Sequence, residues 1–124
     1  MHLRLLADLF GVVKLTPPQP FPVWLNGASI FFVSQTEDEY VIMCPQDLIP
    51  GEISANKGHR CLRVEGDLAF NEVGVVAGVS KPLADAGISL LLISTHDRDY
   101  VLVHQRDLTA AIDIYQKAGF TVDS

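Results

Sequence analysis

Residues 29–48, SIFFVSQTEDEYVIMCPQDL, and residues 89–108, SLLLISTHDRDYVLVHQRDL, carry one pattern twice, sixty positions apart and without a gap. Ser29 matches Ser89, Ser34 matches Ser94, Tyr40-Val41 matches Tyr100-Val101, and Asp47-Leu48 matches Asp107-Leu108. Two buried strands share an apolar pattern by chance more easily than they share polar punctuation in register. The chain therefore reads as a tandem duplication of a strand–turn–strand unit, with repeats at 1–58 and 59–124 that share one core.

The second repeat is the more regular. Arg60 to Glu65 has strand character, and Asn71 is placed to cap a helix over Val73 to Ala86. Val75, Val76, Val79 and Leu83 form an apolar stripe at helical spacing, and Gly87 suits the left-handed closing position. Pro82 lies inside this helix, where proline removes a donor and crowds the carbonyl four residues back, so the sequence predicts a kink or two short helices meeting near Ser80. Ile88 to Ser94 is a nearly continuous apolar run, as in a central strand. Thr95 to Arg98 is a polar turn and Asp99 to His104 a further strand. Asp107 then caps a second helix, with Asp113 and Lys117 paired at i, i+4. Gly119 ends that helix, and Phe120 to Val122 is a last strand.

The first repeat keeps the strands and loses the helices. His2 to Leu15 reads as a strand with a bulge near Gly11. Four prolines between Pro17 and Pro22 forbid a regular first helix and leave room for one turn at Pro22 to Asn26. The second helix starts at Asp47-Leu48 and stops at Pro50-Gly51. Strands rich in Phe31, Phe32, Val33, Val41, Ile42 and Met43 thus lack helices to cover them. A bare apolar face of that size is abnormal on a monomer, which predicts a shared core and a homodimer.

Composition excludes some partners. The chain has 124 residues, net charge −6 and mean hydropathy +0.25. Basic residues form no run and no interleaving with aromatics, which argues against nucleic acid and anionic membrane. No apolar run approaches the roughly 20 residues that span a bilayer, and the start lacks the order of a signal peptide, so the expected location is cytoplasmic. Cys44 and Cys61 follow no metal spacing and read as small apolar residues in a reducing compartment.

Several segments resemble a known family. Asn71-Glu72-Val73-Gly74 is similar to the Asp-x-Pro-Gly entry to the first helix of ACT domains, with Asn for Asp and Val for Pro. Ala86-Gly87-Ile88-Ser89 resembles that family's opening of the next strand. Leu62-Arg63-Val64-Glu65-Gly66, Ile93-Ser94-Thr95-His96-Asp97, Asp99-Tyr100-Val101-Leu102-Val103, Trp24 and Cys44-Pro45 resemble short bacterial tandem ACT proteins related to the CASTOR-type amino-acid sensors. The resemblance implies an α+β, ferredoxin-like βαββαβ fold with antiparallel sheets, the first copy having degenerate helices. It also implies a regulatory protein that binds an amino acid or similar small effector.

Two turns are candidate ligand sites. At Asn71, Glu72, Val73, Gly74 and Val75, a helix N-terminus offers unpaired N–H groups to a carboxylate, and Gly74 permits close approach. The same residues also make an ordinary helix cap. At Ser94, Thr95, His96 and Asp97, with Asp99 beside them, carboxylates can hold an amine and hydroxyls can orient it. The alternative is a solvated hairpin turn. Ser89, at the strand opening, joins the candidate set through the resemblance. Asp99 and His104 fall on opposite faces of one strand, so no metal site is expected, and no cofactor. No nucleophile elbow or phosphate loop is present, so no enzymatic activity is expected. Trp24 with Phe21 reads as a plug over the helix-poor sheet or as an aromatic ligand wall. A pure assembly module without a small ligand is the other reading of the whole chain.

Overall fold

In a computed structural model that describes residues 1–66 and 73–124, the apolar runs become strands and the second-half stripes become helices. The strands are β1 (His2–Leu15), β2 (Phe32–Gln35), β3 (Tyr40–Pro45), β4 (Asn56–Val64), β5 (Leu91–Ser94), β6 (Asp99–His104) and β7 (Thr121–Asp123). The helices are α1 (Val75–Asp85) and α2 (Leu108–Lys117), with short 3-10 turns at Val23–Leu25, Gln46–Leu48 and Gln105–Asp107. The chain divides into two compact units. A major unit holds Met1–Ala7 and His59–Ser124, and a minor unit holds Asp8–Gly58. β1 contributes residues to both.

The major unit runs strand, helix, strand, strand, helix, strand from β4 to β7, the expected order, and its composition is α+β. The start of β1 pairs β7 in parallel, with Leu3 opposite Val122, and borders β4, where the Glu65 amide donates to the His2 carbonyl. The β1–β7 pairing departs from a purely antiparallel sheet, while β4–β6 and β5–β6 are antiparallel. Alternation then fixes the core. Leu3, Leu62, Val64, Val101 and Val103 project to one face, where Val79 and Leu83 of α1 and Ala111 and Tyr115 of α2 cover them. The Tyr115 hydroxyl, buried in this core, donates to the Val79 carbonyl at 2.6 Å and ties the helices together. Val76, counted in the apolar stripe, is instead 49% exposed.

Both helices end in the same way. Gly87 and Gly119 adopt φ of +74° and +95°. The Ile88 amide reaches back to the Leu83 carbonyl and the Phe120 amide to the Tyr115 carbonyl, each at 2.9 Å. This is the double-bonded glycine stop that satisfies the last carbonyls of a helix.

Three details differ from the sequence expectation. α1 is assigned as one helix, Val75–Asp85, through Pro82, and not as two short helices meeting near Ser80. β5 ends the strand order of the sheet and is not central; its unbroken apolar run reflects packing of Leu92 on the helix-side core while Leu91 remains 39% exposed. Asp107 makes no side-chain cap; α2 grows from the preceding 3-10 turn, whose first amides are served by His104 accepting from Arg106. The expected cap Asn71 lies outside the described residues.

In the minor unit, β3 pairs antiparallel with both β2 and β1. The register with β1 is unbroken from Phe10 to Leu15, with no bulge at Gly11. Gly11 is there for space: a Cβ would lie 2.6 Å from Ile49 Cδ1. Val13, Tyr40, Ile42 and Cys44 form the buried face. It is not bare. Leu25 of the proline-rich segment is fully buried against it, with Ile49, Trp24, Phe31 and Ile53 around it. Prolines that forbid a helix still allow a 3-10 turn to deliver Leu25 and Trp24 as a lid.

The two hairpins can be compared residue by residue. Thr36 and Thr95 open their turns, each amide donating across the turn, to the Glu39 and Arg98 carbonyls. Each Thr hydroxyl accepts an amide, from Glu39 and from Arg98, at 3.2 Å. The 3-10 turns Gln46–Leu48 and Gln105–Asp107 follow in both. The geometric equivalence thus runs at an offset of fifty-nine, with Thr36 on Thr95 and Gln46 on Gln105, and not at the sixty of the best sequence match.

Candidate functional site

Gly74 is the N-cap of α1 with φ +89°, a left-handed conformation, and no side chain caps this end. A Cβ there would meet nothing within 4 Å, so the backbone conformation, not crowding, calls for glycine. Val73 is 94% exposed beside it, and Val75 is buried as the first helical residue. Asn71 and Glu72, the other predicted residues of this turn, lie outside the described residues.

The β5–β6 turn is exposed at Ser94, Thr95, His96 and Asp97. His96 Nδ1 pairs with Asp97 Oδ1 at 2.7 Å. Ser94 Oγ donates to Asp99 Oδ1 at 2.6 Å, and Asp99 is only 5% exposed. One Asp99 oxygen is thereby committed to the turn's own structure. Arg98 reaches out of the turn and donates to the Gly66 carbonyl at 2.8 Å. Gly66 is the last described residue before the segment that leads to Gly74, so the hairpin turn is tied to that segment's start. Ser89 precedes β5 while Ser94 ends it; five residues of extended chain separate them by roughly 16 Å. Ser89 is therefore not gathered with the turn.

Next to Gly66 stands a charged cluster that linear reading did not find. Arg63 Nε bonds Glu65 Oε1 at 2.7 Å. This bond holds the Glu65 carboxyl below the usual carboxylate range against the opposing effect of burial, and Arg4 and Arg98 add positive charge nearby. Tyr100, opposite Arg63 across the β4–β6 ladder, also favours its charged form. His59 faces His104 on the same ladder, the rings 5.7 Å apart and near perpendicular. Burial lowers the His59 pKa, and the charges of His104 and Arg106 lower it further. Arg63 and Glu65 are near neighbours in sequence, whereas the strand register brings Tyr100 to Arg63 and His104 to His59.

Cys44 and Cys61 are fully buried free thiols, pushed by burial to about 11 and about 12, which keeps both protonated and unreactive at neutral pH. Among the described residues no group of three or more His, Cys, Asp or Glu side chains is placed to hold a metal ion, and no helix is long and apolar enough to cross a membrane.

A family model described as ACT domain matches residues 54–117, from β4 to the end of α2. The chain belongs to the ACT domain family. A second model, for an N-terminal domain, matches residues 8–52, which fall in the minor unit. Among curated proteins, the cytosolic arginine sensor for mTORC1 subunit 1 of Rattus norvegicus is 33% identical over 92 residues, which cover 72% of this chain and 26% of the sensor. The Homo sapiens sensor matches with the same identity and coverage. The ACT-domain chain thus relates to CASTOR-type sensors while spanning about a quarter of their length. A crystal structure from Agobacterium tumefaciens superposes with a TM-score of 0.90 and 32% identity, over 98% of this chain and 90% of that one. The ligand-free regulatory subunit of aspartate kinase from Thermus thermophilus superposes with a TM-score of 0.64 at 14% identity, over 94% of this chain and 95% of that one. That likeness is one of fold.

Proposed function

We propose that this ACT-domain chain is a regulatory module, not an enzyme, that binds an amino acid or similar small effector between the α1 N-terminal turn and the β5–β6 turn. The supporting observation is the Arg98–Gly66 bond, which links the hairpin turn to the segment entering α1. In this reading Val73, Gly74 and Val75 present backbone amides to the effector's carboxylate. Thr95, His96 and Asp97 present hydroxyl, imidazole and carboxylate groups to its remainder. The reading also includes Asn71 and Glu72, which lie outside the described residues. The related arginine sensor supports amino acids as the class to test first.

The reading extends to a homodimer in the cytoplasm, with no nucleic-acid partner. The thermal-shift response to each of the twenty amino acids tests the ligand. Binding stabilises by about 2.7 kcal/mol when ligand stands at a hundred times Kd. Stabilisation by one amino acid, abolished in Gly74→Val, is the expected outcome; no shift with any of them at millimolar concentration would refute the reading. The assembly-module alternative draws on Phe21 and Val23 of the minor unit, 49% and 75% exposed. It predicts that Val23→Asp dissociates the dimer while leaving any ligand response unchanged.

A further inference from the structure

The helix layer of the major unit carries an apolar groove that neither candidate turn uses. Gly78 and Pro82, one turn apart, line it from α1. Ala118 and Phe120, where the chain leaves α2 for β7, line it from the other side. The groove is open and has a volume of about 550 Å³. That is within the range of small-molecule sites.

Its aromatic wall is already in place. The Phe120 ring packs on Tyr115, with centroids 5.0 Å apart, and the Phe120 amide donates to the Tyr115 carbonyl. Tyr115 is in turn buried and bonded to Val79 of α1. A ligand entering the groove meets a ring held from three directions, which lowers the ordering cost of binding.

Charge and hydrogen bonding restrict the occupant. The two charged residues of the lining, Lys81 and Asp85, pair with each other at 2.8 Å. The rim thus carries no net charge, and a charged ligand would have to compete with one member of that pair for the other. This favours an uncharged molecule. Pro82 adds a polar element. Its nitrogen bears no hydrogen, so the Gly78 carbonyl lacks the donor that the residue four positions on supplies in a regular helix. Gly78 has no side chain and lines the groove with its backbone. An apolar groove that holds an acceptor without its helical donor suits an apolar molecule with one donor of its own. The Phe120 ring favours an aromatic ring over a saturated one.

We propose that the groove between α1 and the α2–β7 junction binds an uncharged aromatic compound bearing a hydroxyl or ring N–H, which donates to the Gly78 carbonyl while the ring lies against Phe120 and Pro82. The groove includes neither Gly74 nor the β5–β6 turn, so the inference is independent of the function proposed above. Phenol is the probe. Anisole keeps the ring and loses the donor, cyclohexanol keeps the donor and loses the aromatic ring, and benzoate adds a charge. The measurement is a heteronuclear NMR titration of the full chain, read at the amides.

Phenol is expected to move the Gly78, Ala118 and Phe120 amides in a saturable way at millimolar concentration. Each of the three controls is expected to bind at least about threefold more weakly. In Pro82→Ala the Gly78 carbonyl regains an N–H donor, and phenol is expected to fall to the level of anisole. Gly78→Leu fills the groove and is expected to abolish binding of both. A Cβ at Gly78 would meet the Met1 methyl at 3.5 Å, an ordinary contact that needs no rearrangement. Unchanged amide positions elsewhere certify the fold of both variants. Any control binding as tightly as phenol would overturn the proposal. So would an undiminished preference for phenol over anisole in Pro82→Ala, full binding by Gly78→Leu, or the absence of saturable shifts at these amides.

Discussion

At the first residue of its second strand, the β2–β3 hairpin buries the ring of Tyr40, and the β5–β6 hairpin buries the carboxylate of Asp99. The turns before them are alike: each opens on a threonine that accepts an amide from the far side. The cores beneath differ. The minor unit fills this position with an aromatic packed among Leu25, Ile42 and Cys44. The major unit fills it with a charge held by Ser94. A buried carboxylate is costly unless it is hydrogen-bonded, so Ser94 and Asp99 act as one unit. The hairpin proposed to meet a ligand is the one that keeps a polar interior.

The sharpest way to break this comparison is to give one hairpin the other's residue. Tyr40→Asp places a carboxylate in the minor core without a serine to serve it, at an expected cost of about 3–5 kcal/mol in urea denaturation. Adding Gln35→Ser, at the position equivalent to Ser94, is expected to recover part of that loss. A cost below about 1 kcal/mol would mean that the two positions are not equivalent.

Removing the donor from the other hairpin is the next test. Ser94→Ala leaves Asp99 short of a partner and is expected to cost about 1.5–3 kcal/mol, the range for hydrogen bonds to charged groups. The shared turn predicts a smaller and matched pair of effects. Thr36→Ala and Thr95→Ala are each expected to cost about 0.5–1.5 kcal/mol by the same measurement. Losses that differ between the two would break the equivalence of the turns.

The smallest expected effect is one of pH. The major hairpin carries His104 where the minor one carries Pro45, and His104 faces His59. The folded-state pKa of His59 lies below its ordinary value of 6.5, from burial and from the charges of His104 and Arg106. The unfolded chain then binds the proton more readily. Stability from this source is complete above about pH 6.5 and falls as pH drops below it. His59→Asn is expected to flatten the stability profile between about pH 5 and 7, measured by thermal unfolding.

Particular residues show how far the sequence carried. Helix stops at Gly87 and Gly119 were legible because a left-handed closing residue has a strong glycine signature. The strand–helix order of the major unit was legible from periodicity, and so was the turn between β5 and β6. The two hairpins match in geometry at an offset of fifty-nine, one short of the sequence match. Val101, Leu102 and Val103 are all buried, so an apolar run on both faces of β6 accepts either offset without penalty. The identity of Tyr40 with Tyr100 favoured sixty; the threonine turns hold the geometry at fifty-nine. The lid over the minor sheet was missed because prolines signal the absence of a helix and not what a 3-10 turn delivers. Arg63 and Glu65 stand two residues apart, but Arg4 and Arg98 join them only through the fold, from β1 and the β5–β6 turn, so the full cluster was invisible in the linear sequence.

The pairing of His2 with Thr121 also has a consequence for synthesis. The minor unit is one uninterrupted stretch, Asp8–Gly58, and its contacts can form while the chain is still being extended from the ribosome. The opening strand has to wait, because its β4 neighbour arrives some sixty residues later and its β7 partner later still. Closing such distant contacts is the slow step in assembling a sheet. Until β7 arrives, the edge of β1 at His2–Arg4 is unpaired, and its protection by nascent-chain chaperones would matter most in that interval.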